Sequence, residues 1–449
     1  MKLLDLFRPK RPPVSQAQYD YLMRILNSQL QQGVPVPIGQ TLTEYITEGF
    51  AFNPSVYSLI SLRATAAKGI PWLVYQIKDK RKLRQYDAIT SKGVNLEKTL
   101  KLKEESLEEV DGTPLNSLLK RPNEKQTFSE FLEELWLFRD TVGNAYWYNI
   151  TNPVTGLPLE MHTLPADRVR IIGGEPIQPI AGYTVDLQYY NGMTLEPDKV
   201  VHWKYPNLMY SAAGCNLYGM PPLKAAAMII AQDNMATKGQ SAAFLNEGLK
   251  GFITGTQQTE IDFTAEQAYE LQKRLADKTG YKNNRKLAFS RAPLQFVKVG
   301  ESPIDLGVQQ AREYNRELLC NIFRVHPSLL ASDASTLNNL KEARRALITT
   351  SVLPDLDTFK AILNNRIASA FGSEFYLDYD LMAISEIQDD LQVLATTLKT
   401  MDWVTINEKR AATQYGRYDN EAADKLYSAI GLQELGEFDT GFDEIDKHL

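Results

Sequence analysis

Four histidines, His162, His202, His326 and His448, are the side chains best suited to bind a metal or pass a proton, and no two stand at a metal-ligand spacing. Asp378 and Asp380, in "DYD", have the chemistry to hold Mg²⁺ in a nuclease. No further carboxylate constellation accompanies them, and a solvated strand edge is the competing reading. Ser117-Leu-Leu-Lys120 matches the Ser-x-x-Lys spacing of an activated serine, a pattern so short that it recurs by chance. GxxxxGK[ST], GxGxxG and GxSxG are all missing, so no phosphate-cradling loop or nucleophile elbow is written in the chain. The residue types argue against an enzyme. One polar run remains to be explained: "SDASTLNN", Ser332–Asn339, small rotatable groups between two helical patterns, with Asp333 the only charge.

The chain has 449 residues, of which 43% are hydrophobic and 23% charged. That is enough for a buried core and about two to four domains. No window approaches the roughly eighteen apolar residues of a membrane span. The opening "MKLLDLFRPKRPP" has too short an apolar run for a signal peptide. Cys215 and Cys320 form no CxxC pair and read as buried thiols in a reducing compartment. The sequon at Asn149 then carries no weight. Net charge is −6, which does not describe a protein that coats nucleic acid. Its distribution is uneven: residues 250–300 hold nine Lys/Arg and five Asp/Glu, and residues 373–449 hold seventeen Asp/Glu and six Lys/Arg. Both blocks also read as solvated surface.

Residues 1–14 form a basic, Pro-rich tail, and "SQAQYDYLMRILNSQL" after it has a helical apolar pattern. "NPSVYSLISLRATAAKGI" predicts a helix stopping at Gly69, followed by Pro71 and the strand "WLVYQI". Residues 78–112 are highly charged and predict a long loop or irregular insertion. Thr127 and Glu130 make a capping box for a helix that buries Phe128, Phe131, Leu132, Leu135, Phe138 and Val142 and ends at Gly143, before the strand "NAYWYNI". Short strands fill 159–206, with a hairpin signal at Asn191-Gly192. An Ala-rich helix, 221–247, precedes a small α+β module, 248–302. The next helix opens at Ser302-Pro303. Its apolar positions Ile304, Val308, Ala311, Leu318, Ile322 and Val325, with Asn315 as the one polar member, repeat 4-3-4-3-4-3 as a helix–helix seam. Another helix begins near Asn338, and Pro354 should kink it or end a turn. The tail from 381 reads as helical and acidic.

In this order the parts resemble the portal proteins of tailed bacteriophages, of the HK97-type phage portal family. The most specific stretch is "LNSLLKRPNEKQTFSEFLEELWLFRDTVGNAYWYNI". "NPSVYSLISLRATAAKGIPWLVYQI", "LPADRVRI", "VVHWKYPN", "YGMPPLKAAAMIIAQDNMATKGQSAAFLNEGLKGFITG" and "RVHPSLLASDASTLNNLKEA" add to it, over about 50–370. The chain departs from the family in three places. Arg324-Val325-His326-Pro327 stands where Gly-Val-Pro-Pro is favoured, the stretch 78–112 is long, and nothing after 372 carries a family motif.

The resemblance implies an α+β, ring-forming architecture. It comprises a wing with antiparallel sheet and helices, 1–220, and a two-helix stem, 221–247 and 304–325. Between the stem helices lies a clip, 248–303. A tunnel loop, 326–339, leads to a long kinked helix, 340–372, and a helical acidic crown, 373–449. It also implies a head–tail connector, usually dodecameric, at one capsid vertex of the virion, assembled in the host cytoplasm. Double-stranded DNA would pass through non-specifically, packaged by the terminase large subunit and later ejected. Major capsid or scaffold protein and head-completion adaptor proteins would be further partners, with no enzymatic role, metal, cofactor or membrane.

A channel for moving DNA must not grip it, because each neutralised phosphate adds salt-dependent affinity. Of the tunnel-loop residues, Ser332, Ser335, Thr336, Asn338 and Asn339 would supply transient or water-mediated bonds to the DNA backbone, and Asp333 is the only charge among them. An ordinary interhelical loop is the alternative. The acidic tail would either oppose sticking of DNA or only keep the crown soluble. Lys273, Arg274, Lys278, Lys282 and Arg285 make a candidate docking face on the clip, or a solvated helix face. Asn315 would fix the register of the seam or face the channel. The competing functions are a metal-dependent nuclease using Asp378 and Asp380, and a monomeric binding module using the 159–206 sheet.

Overall fold

The protein was analysed as a computed structural model. It describes residues 42–90, 96–175, 177–186, 194–208, 215–245, 251–255, 294–298, 307–330 and 337–381, with shorter pieces between 266 and 273 and between 383 and 434. The predicted N-terminal tail and helix of residues 1–30 lie outside them.

Helix α1, Pro54–Lys68, starts where the Asn53 side chain accepts from the Ser55 and Val56 amides at 3.0 and 3.1 Å. It buries Val56, Leu59, Ile60, Ala64 and Ala67 on one face. Strand β1, Trp72–Ile77, follows. It is the centre of a sheet ordered β11-β1-β2, in which β2 is Leu107–Glu109 and β11 is Phe375–Tyr379. The pair Trp72 with Tyr379 therefore ties the first strand to one about 300 residues later in the chain.

Residues 78–112, expected as a loop, instead fold into a helical hairpin, α2 (Lys80–Thr90) and α3 (Leu96–Ser106), ending in β2. Leu83, Tyr86, Leu100 and Leu102 are buried, so a few well-spaced apolar side chains suffice to seat two highly charged helices. The composition looked like loop because only one face of each helix is apolar.

Short helix α4, Pro114–Lys120, leads to α5, Phe128–Val142, whose Thr127–Glu130 capping box is reciprocal. Gly143 ends α5 at φ 79°, where a Cβ would lie 2.6 Å from backbone atoms of Met220 and Pro221. Strand β3, Asn144–Thr151, is the middle of a second antiparallel sheet, between β4 (Pro158–Leu164) and β8 (Val200–Lys204). A third sheet holds β5 (Val169–Gly173), β6 (Ile180–Val185) and β7 (Thr194–Leu195) in order. The Asn191-Gly192 turn itself lies outside the described residues.

Helix α6, Pro222–Leu245, and strands β9 (Gly251–Gly255) and β10 (Leu294–Lys298), paired antiparallel, come next. Helix α7 runs Val308–Phe323 from Gly307, with Ser302-Pro303 outside the described residues. The helix expected near Asn338 runs from Leu337 to Phe371 without a break, as α8 (Leu337–Ala346), a π turn (Leu347–Val352), α9 (Leu353–Leu363), a second π turn (Asn364–Ala368) and a last turn, Ser369–Phe371. Pro354 stands in the first turn of α9. Its ring would strike the carbonyl four residues back, and the backbone meets this by widening, the Leu353 amide reaching Ile348 O. Thr349 and Thr350 hydroxyls donate to Arg345 O and Ala346 O, at 3.0 and 2.6 Å.

The tail beyond 381, expected to be helical, is not so throughout. Its described pieces include α10, Ile406–Ala412, and a strand pairing of Tyr427–Ser428 with Gln433–Glu434. Edge-to-face rings knit the main core, Trp136 against Trp203 at 5.4 Å and Trp147 against Phe359 at 5.8 Å.

Candidate channel segment and the buried charges that fix it

The segment 324–339 leaves α7 through Arg324, the one non-glycine residue with positive φ (56°) among the described residues. His326 then caps the turn Pro327–Leu329, its Nδ1 3.3 Å from the Ser328 amide. Ser332, Asp333, Ser335 and Thr336 lie outside the described residues. Asn338 and Asn339 stand exposed in the first turn of α8.

Buried polar groups fasten the end of α7, where this segment begins, to the first π turn of the long helix that follows it. The Ser351 hydroxyl, in the first π turn, donates to Phe323 O, the last residue of α7, at 2.9 Å. Arg63, from α1, donates through Nε to Ser351 Oγ at 2.9 Å and through Nη2 to Ser351 O at 3.2 Å. Its remaining donors reach Asp140 of α5 and Asp355 of α9, the latter at 2.6 Å. Arg139 completes the set, donating to Asp355 Oδ1 at 2.9 Å while its guanidinium lies 3.8 Å from the Tyr205 ring centre and 4.2 Å from that of Trp203. Tyr205 and Trp136 donate to Asp140 at 2.7 and 3.1 Å. Two guanidinium groups thus face two carboxylates, so the cluster is neutral.

Burial alone would lower the pKa of Arg63, but Asp140, Tyr205 and Asp355 more than offset it and raise it. Burial pushes Asp355 towards its neutral form, and Arg139 and Arg63 overcome that and hold it below the ordinary carboxylate range. Burial raises Tyr205, which stays a neutral donor. Such a cluster positions; it has no group poised to react.

Asp378 is fully buried, which corrects the expectation of a solvated strand edge. Lys103 of α3 and Lys360 of α9 lie 3.1 and 3.3 Å from its two oxygens, and Tyr86 donates to it at 2.6 Å. Burial would raise its pKa, and the two lysines lower it instead. Both carboxylate oxygens are engaged by protein cations, and no group of three His, Cys, Asp or Glu suited to a metal occurs among the described residues. Asp378 thus joins the helical hairpin to β11 and α9. Sequence reasoning missed this role, and it missed Arg63, Arg139, Asp140, Ser351 and Asp355 altogether. The available signal was charged or polar residues at positions where a helical apolar face should continue.

The other sequence candidates fall in separate places. Asn315 is buried, its Nδ2 3.4 Å from Gln232 Oε1 on α6. Val325 is buried; Val308, Ala311, Leu318 and Ile322 are half-buried; Ile304 is outside the described residues. The deepest stripe of α7 is Asn315, Leu319, Cys320 and Phe323. Lys273 is exposed, and Arg274, Lys278, Lys282 and Arg285 are outside the described residues. Ser117 and Lys120 stand exposed on α4. His202 is stacked on Tyr146 at 4.1 Å, its pKa driven well down by burial, and His162 pairs with Glu160 at 2.7 Å. Cys320 is a free, buried thiol, its pKa raised by burial to about 11.

The sequence pattern of the family described as phage portal protein matches residues 54–413. A protein of Rickettsia bellii (strain RML369-C) is 24% identical over 371 residues, spanning 81% of this chain and 87% of its own. Among solved structures, a chain from the neck of an empty GTA particle, determined with C6 symmetry, superposes at a TM-score of 0.64 with 22% identity, covering 89% of this chain and all of its own. An HK97 family phage portal protein from Corynebacterium diphtheriae superposes at 0.50 with 14% identity, covering 78% and 96%.

Proposed function

This chain belongs to the phage portal protein family, and from that premise we propose that identical copies close into a dodecameric ring at one vertex of a phage capsid, with segment 326–339 of each copy lining the hole. In this reading α6 and α7 are the stem, 248–303 is the clip, and double-stranded DNA moves through the ring when the terminase fills the head and again when it is ejected. Assembly takes place in the host cytoplasm, capsid or scaffold protein surrounds the ring, and head-completion proteins close it. The basic residues of the clip, Lys273, Arg274, Lys278, Lys282 and Arg285, steer the motor and the adaptors.

The observation that carries the reading is the clamp that ties the end of α7, where the segment begins, to the first π turn of the helix after it. A finger that touches moving DNA must be weakly polar at its tip and firmly held at its base. Ser332–Asn339 supplies the first, and the Phe323–Ser351–Arg63 chain of hydrogen bonds supplies the second. Electron microscopy of the purified full-length protein tests it: closed rings are expected, with 332–339 facing a central hole wide enough for a duplex. Rings that carry this segment on the outer circumference would refute the assignment. Metal-dependent cleavage of duplex DNA would refute the non-enzymatic reading.

A further inference from the structure

The hairpin α2–α3 presents an unpaired basic face. "KDKRKLR", residues 78–84, packs five cations and one carboxylate into seven positions. Lys78 and Lys82 pair with Glu108 and Glu105. Lys80, Arg81, Arg84 and Lys101 are exposed, and none makes an ion pair with a described residue. Lys80, Arg81 and Lys82 also occupy the first turn of α2, where the helix dipole disfavours positive charge. The cap supplied by Asp79, whose Oδ1 accepts from the Arg81 and Lys82 amides at 2.7 and 3.2 Å, offsets only part of that cost. Helix stability alone does not select such a turn.

Helix α10 packs against α3, which brings the root of the acidic C-terminal region beside this hairpin. Beyond the described strand Gln433–Glu434 follows "LGEFDTGFDEIDKHL", with Glu437, Asp439, Asp443, Glu444 and Asp446 against one lysine. Fifteen residues can reach about 50 Å when extended. We propose that residues 435–449 dock on the basic face of their own subunit's hairpin, through Lys80, Arg81, Arg84 and Lys101, and shield it from other polyanions. Tethering makes the encounter intramolecular, so individually weak surface pairs act together.

Carbodiimide coupling of the full-length protein, read by mass spectrometry, tests this. At low salt, amide links are expected between Lys80 or Lys101 and the carboxylates of 437–446, within one copy, and they should fade at high salt as charges are screened. The exposed-site variant Lys80→Ala/Arg81→Ala/Arg84→Ala should also lose the Lys101 links. Mixing isotope-labelled and unlabelled copies separates links within a copy from links between copies. A second arm measures binding of a short DNA duplex. Changing the five tail carboxylates to amides should tighten it about tenfold by vacating the seat. Links absent at low salt, links only between copies, or equal DNA affinity of the wild type and the amide variant would overturn the proposal. The last result would make the face a nucleic-acid surface instead.

Discussion

Removing the Ser351 hydroxyl should loosen the end of α7 and the first π turn at once. In Ser351→Ala the buried Phe323 carbonyl loses its donor and Arg63 Nε loses its acceptor. A buried polar group left without a partner costs about 1–3 kcal/mol. Two such groups, one of them charged, should therefore cost about 3 kcal/mol, roughly a hundredfold in the opening equilibrium. Ser351 is fully buried, so water does not easily replace the missing partner. Hydrogen–deuterium exchange on the full chain reads the effect where it should arise. Amides at the end of α7 and in Leu347–Val352 should exchange about a hundredfold faster, while those of β3 stay unchanged. Arg63→Met is the harsher step, because it strips a cation from Asp140 and Asp355 and should cost about 3–5 kcal/mol. The two variants share partners, so their effects should add to less than their sum. An acceleration under threefold in Ser351→Ala, or equal acceleration in β3, would refute the clamp.

The Asp378 network gives a pH profile. Its carboxyl is held below the ordinary value in the folded protein, so its contribution is present above the unfolded pKa of about 3.9 and lost as pH falls through the folded value. Lys360 is raised, so its contribution is present below about 10.4 and lost as pH climbs past the folded value. Thermal melts of Asp378→Asn should therefore show a lower Tm across the neutral range and a flatter acid limb, and an acid limb identical to wild type would count against the network. Gly143→Ala should be severely destabilising or prevent folding, since the added Cβ meets backbone at 2.6 Å and φ is positive; near-wild-type denaturation midpoints would show that the chain can shift there. Ser335→Lys with Thr336→Lys should leave rings intact and slow DNA packaging in a reconstituted motor assay, because cations bind passing phosphates; packaging at the wild-type rate would remove the loop from its role.

Much of the fold between residues 54 and 206 was legible from the chain because its signals are local. Asn53, Thr127 with Glu130, and Gly143 act within a few residues of themselves, so caps and stops follow from residue type alone. The alternating strands and the ordered family motifs carried the architecture in the same way. The hairpin at 78–112 was not legible, because Leu83, Tyr86 and Leu102 gain a core only from the sheet they land on. Pro354 announced a distortion, but whether the helix would break, kink or widen depended on its surroundings: Thr349 and Thr350 hydroxyls donate to the Arg345 and Ala346 carbonyls in the turn before it, and Ser351 is held by Arg63.

The sequence by itself determined the caps, stops and strand signals, the family to which they add up, and the small polar character of Ser332–Asn339, with Asp333 its only charge. Only the tertiary structure decided which charges act. Arg63, Asp140, Ser351 and Asp355 come from four separate elements, and Asp378 of β11 meets Lys103 of α3 and Lys360 of α9. A charge is stable away from water only opposite a partner, and no spacing along the chain says which partner folding will bring to it.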